Sequence, residues 1–90
     1  MNNINPDICR EIRLLLHECG RRPLRASAVL TYIRNKESLR NTPVILSDVQ
    51  THLSFLEGQG DAAQVPNPDN PAIVSWTLTD AGRVRLAQQQ

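Results

Sequence analysis

The run Pro66-Asn67-Pro68-Asp69-Asn70-Pro71 constrains this chain most. Three prolines and two asparagines in six residues suit neither a helix nor a central strand, because proline lacks a backbone donor and asparagine favours turns. On one side, Ala62-Ala63-Gln64-Val65 can be extended. On the other, Ile73-Val74-Ser75-Trp76-Thr77-Leu78 is β-branched, aromatic and partly alternating, which reads as a strand. The pair predicts a hairpin with a long loop, strands near 62–65 and 73–78. A chain built this way cannot be an all-helical bundle.

What precedes the hairpin is helical. Residues 6–19 carry Ile8, Ile12, Leu15, Leu16 and Cys19 on one stripe, with Asn5 as N-cap, Pro6 in the first turn and Gly20 as the stop. Arg10, Glu11, Arg13 and His17 fall largely off that stripe. A second helix is predicted near 24–36, with Ala26, Val29, Leu30 and Ile33 inward. A polar connection and a short extended Val44-Ile45 follow. A third helix is predicted near 47–58, with Ser47 and Gln50 as a capping box and Leu46, Val49, Leu53 and Leu56 buried. Gly58 and Gly60 end it. After the hairpin, Thr79 caps a last helix near 80–88, with Val84, Leu86 and Ala87 inward.

Three helices, a two-stranded hairpin and a closing helix give an α+β chain with the element order of a single winged helix-turn-helix domain over 1–90. The hairpin is the wing, and the third helix holds the recognition position. Ninety residues suffice for one compact domain and are too few for two.

Two segments carry a family resemblance. Leu53-Ser54-Phe55-Leu56-Glu57-Gly58-Gln59-Gly60 is similar to the L-x-x-L-E-x-x-G segment that ends recognition helices in many winged-helix regulators. Trp76-Thr77-Leu78-Thr79-Asp80-Ala81-Gly82-Arg83 resembles the x-L-T-x-x-G-R segment after the wing in MarR-like and PadR-like proteins. The layout most resembles small winged-helix proteins of Mu-like bacteriophages and prophages, a family that implies no established activity. One departure stands out. Asp61-Ala62 occupies the place of a usual large apolar pair, so the first wing strand is expected to pack loosely.

Chemistry is sparse. No Gly-rich phosphate loop or nucleophile motif occurs, and His17, His52, Cys9 and Cys19 lack the close pairing of a zinc site. The chain is therefore read as no enzyme, with no cofactor, no metal and no catalytic residue. His17 is read as solvated and His52 as a helix-surface residue that could touch DNA at the edge. Cys9 and Cys19 stand about 15 Å apart along one helix, too far for a disulfide. With no apolar run of membrane-spanning length and no secretory leader, the expectation is a cytoplasmic protein, in the host cell if phage-encoded.

The net charge of +1 conceals a division. Residues 1–40 hold eight basic and four acidic side chains, whereas residues 41–82 hold five acidic and no basic ones. Duplex affinity rests mainly on neutralised phosphates, and here the third helix and wing supply no cation. Arg21, Arg22 and Arg25 at the start of the second helix, with Arg40 before the third, are the candidate phosphate anchors. Gln50, Thr51 and Ser54 are the candidate base readers.

Two functions remain open. One is a small DNA-binding transcriptional regulator on double-stranded DNA, acting as a homodimer through its first and last helices. The other is a protein-interaction module that does not bind DNA, suited by the uncharged third helix and acidic wing. Phe55, off the centre of its helix stripe, is expected either in a side pocket under the wing or in an interface.

Overall fold

A computed structural model describes residues 4–20 and 22–88. Helix α1 spans Pro6–Glu18, strand β1 Leu24–Arg25, helix α2 Ala26–Ile33, a short 3-10 turn Glu37–Leu39, helix α3 Leu46–Gly58, strands β2 Ala62–Pro66 and β3 Val74–Leu78, and helix α4 Asp80–Gln88.

Helix α1 starts as the sequence predicts. The Asn5 side chain accepts the Asp7 N–H at 2.8 Å, and Pro6 opens the first turn. Gly20 follows the helix at φ +64°, a left-handed conformation that glycine adopts without steric cost. Ile8, Ile12, Leu15 and Leu16 are buried, and Cys19 packs against the same core.

The second helix is shorter than its periodicity suggests. Leu24 and Arg25 belong instead to a strand, and the sheet has three strands in the order β1-β3-β2, all antiparallel. Leu24 faces Trp76 across this added ladder. A two-residue strand leaves no alternation to read, because its pairing is decided by tertiary contact. The connection after α2 is also more ordered than expected, with Leu39 in the 3-10 turn almost fully buried.

Helix α3 begins one residue early, and its capping differs. Asp48, not Gln50, reaches back, accepting the Ile45 N–H at 3.1 Å. Val49, Leu53 and Leu56 are fully buried, while Leu46 is 40% exposed and does not join the stripe. In α4, Leu86 is buried as predicted, but Val84 and Ala87 face outward.

The largest departures concern polar residues. His52 is buried, not on the helix surface. Its Nε2 accepts the backbone N–H of Asn5 at 2.9 Å, so the ring carries its proton on Nδ1, which lies 2.6 Å from the Asp48 carbonyl. Glu11 and Arg13 are buried too, with Glu11 accepting from the Ser38 hydroxyl at 3.0 Å. Asp61 is fully buried between Arg13, at 3.1 Å, and Arg85, at 2.9 Å. Ala62 beside it is buried as well. The start of the wing is therefore tightly held, not loose: a carboxylate with two guanidinium partners replaces apolar bulk. Phe55 is half-buried. It lines a groove with Cys9, Arg13 and Arg85, between α1 and α4, not a pocket under the wing.

The resemblance to L-T-x-x-G has a structural basis. Thr79 accepts the Gly82 N–H at 3.0 Å and donates its own N–H to the Asp61 carbonyl at 2.9 Å. Gly82 lies directly on that carbonyl and on Leu78, where no Cβ fits. At the other end of the wing, Asn67 accepts the Asp69 N–H at 2.8 Å and Asn70 accepts the Ala72 N–H at 3.1 Å. These asparagines close the turn with their own side chains.

Candidate nucleic-acid interface

Helix α3 packs on α2 and on β2, which leaves one side of it facing a groove between the start of α2 and the wing sheet. The groove encloses about 450 Å³. Arg25 borders it from the end of β1, Ser27 from α2, Gln50 and Ser54 from α3, and Gln64 from β2. Arg25 is the N-cap residue of α2 and is exposed. Among the described lining residues, it alone is charged.

Of the residues singled out in the sequence, Arg25, Gln50 and Ser54 are thus brought together at this groove. Thr51 is exposed on the same helix, its hydroxyl donating to the Ser47 carbonyl at 2.8 Å, which leaves its oxygen free to accept. Arg22 is exposed just before β1. Arg21 lies outside the described residues. Arg40 does not border this groove: it sits with Arg34, Asn35, Lys36 and Glu37 around a separate recess beyond the far end of α2.

Three contributors escaped sequence reasoning. Ser27 was assigned to a helix whose start was misplaced. Leu46 was assigned to the core and instead lines the groove, where an apolar group can meet a thymine methyl. Gln64 pairs in register with Trp76 and donates to Glu57 at 3.3 Å. Its place in the extended segment of residues 62–65 was the one available signal. The groove is therefore of mixed character: Leu46, Val74 and Trp76 give it an apolar floor, and beside the single charge of Arg25 its amide and hydroxyl groups can hydrogen-bond base edges or a protein backbone equally well. Among the described residues, no group of three His, Cys, Asp or Glu side chains is placed to hold a metal. No described helix is long and apolar enough to cross a membrane.

No family model and no curated protein matches the sequence. Solved structures do match in shape. YusO from Bacillus subtilis superposes with a TM-score of 0.75 at 19% identity, covering 94% of this chain and 52% of that one. The multiple antibiotic resistance repressor MarR gives 0.71 at 16%, covering 96% and 54%. FabT of Streptococcus pneumoniae, solved in complex with DNA, gives 0.66 at 23%, covering 97% and 52%. The chain has the winged-helix fold. It spans about half the length of these matching structures. In this winged helix, the β2–β3 hairpin is the wing, and the groove lies where it and α3 meet α2.

Proposed function

We propose that this chain is a small winged-helix DNA-binding protein, a transcriptional regulator of phage or prophage type, working as a homodimer. The observation that carries the reading is the shared groove of Arg25, Gln50 and Ser54. Arg25 and Arg22, with Arg21, neutralise backbone phosphates, while Gln50, Thr51 and Ser54 address base edges in the major groove. A similar fold in a protein solved with DNA supports the assignment. Dimerisation follows from size, since a single module of this kind offers a limited duplex interface.

Mobility shift on random duplex at low and moderate salt tests the proposal. Binding at low salt that weakens steeply with added salt is the expected result, because phosphate neutralisation releases counterions. Arg25→Ala should weaken binding across all sequences, and Gln50→Ala should change base preference. A protein that binds no duplex at low salt is not a DNA-binding regulator. The absence of any Lys or Arg from residues 41–82 then favours the second reading, a protein-interaction module docking through the same groove.

A further inference from the structure

Resting on the DNA reading, we infer that the basic recess of Arg34, Lys36 and Arg40 is a second phosphate-binding site, and that α2 spans the DNA major groove with a cationic group at each end. The two caps of α2 are both arginines, Arg25 at the start and Arg34 at the end. Arg34 lies nine positions after Arg25, a rise of about 13–14 Å along the helix. The major groove of a B-form duplex is about 12 Å wide, so phosphates on its two edges lie within reach of the two caps.

The recess holds three cations against Glu37. Arg34, Lys36 and Arg40 are all exposed, and among the described residues none of the three is in an ion pair. Arg34 at a helix C-terminus has a structural use, since it complements the negative end of the helix dipole. That effect fades within the last turn, and it gives no reason for Lys36 or Arg40. Between the two ends, α2 carries no acidic side chain, and Ser27 and Thr31 are exposed on it. A phosphate-lined groove therefore meets no repulsion along the helix. The wing contributes no cation, so the second anchor that a wing could supply is absent here. The far end of α2 takes its place.

Fluorescence anisotropy on a random duplex across a salt series tests this. Each phosphate contact contributes about one unit to the slope of log affinity against log salt. The triple variant Arg34→Ala, Lys36→Ala, Arg40→Ala should lower that slope by about two to three, and Arg25→Ala by about one. The charge-keeping variants Arg34→Lys and Arg40→Lys should retain the slope. Thermal melting at the wild-type temperature checks that each variant folds, and the three single substitutions are read alongside in case the triple does not. A wild-type protein that binds duplex, with slope and affinity unchanged in folded alanine variants, overturns the two-ended contact and leaves the DNA reading intact. Lysine variants that lose as much as the alanine ones also overturn it. A wild-type protein without duplex binding overturns both.

Discussion

Arg13 and Asp61 form a buried ion pair across 48 positions of sequence, with Nε 3.1 Å from Oδ2 and the two side chains 7% and 0% exposed. The pair ties the middle of α1 to the residue just before the wing. Arg85 closes on the other carboxylate oxygen from α4. One acidic residue thus joins the first helix, the wing and the last helix.

Removing that carboxylate takes an ion-pair partner from a buried guanidinium. Asp61→Ala should cost about 3–5 kcal/mol, the range for breaking a buried pair by deleting one partner. Arg85→Ala should cost about 1 kcal/mol or less, because its side chain is 45% exposed and water screens the interaction. Urea unfolding of both variants gives the comparison. Equal losses would show that the buried arginine is not the one that matters.

Gly82 is held by its neighbours, not by its dihedral angles. A Cβ there meets the Asp61 carbonyl oxygen and the Leu78 side chain, and that carbonyl already accepts from Thr79. Gly82→Ala should destabilise by about 1–3 kcal/mol, as overpacking does, although alanine is the better helix former. A melting temperature at or above wild type would contradict the close approach.

His52 sits on α3 yet faces inward. His52→Ala leaves the Asn5 N–H without its acceptor and should cost about 1–3 kcal/mol. Duplex affinity of the folded variant should equal that of wild type. A loss of affinity with unchanged stability would place the imidazole at the DNA instead.

Burial pushes the Cys9 thiol up, against the lowering influence of Arg13 and with a smaller raising one from Asp61. The folded state then keeps this proton to higher pH than the unfolded chain, whose thiol ionises near 8.5. Its contribution to stability is complete below that pH and is lost as pH rises through the folded value. Denaturation between pH 8 and 10 should show a decline that is shallower in Cys9→Ala. Identical slopes would remove the thiol from the account.

The helices were legible because their apolar spacing is local. Ile8, Ile12, Leu15 and Leu16 declare one face of α1 without help from the rest of the chain. The hairpin was legible from its turn residues. What could not be read was set by distant partners. Leu24-Arg25 is a strand only because Trp76 and Ser75 lie opposite. Asp61 looks like a solvated residue until Arg13 arrives from 48 positions away. Val84 and Leu86 are equally apolar in sequence, and only packing against α1 decides which is buried. In the candidate interface, the chemistry of Gln50 and Ser54 was visible. Their convergence with Arg25 was not, since it depends on where α2 begins. Arg40 was grouped with Arg25 for its charge and its place before the third helix, and it sits instead with Arg34 and Lys36.

The proline-rich wing has a bearing on solubility. Strand β2 is a sheet edge, and an open edge invites another chain to add a strand. Charged side chains, especially lysines, are a common deterrent, and β2 carries none. Its length of five residues and its final proline, which has no N–H to offer, limit that edge instead. Replacing Pro66 by an uncharged residue with a backbone N–H would therefore lengthen an unguarded edge and favour self-aggregation.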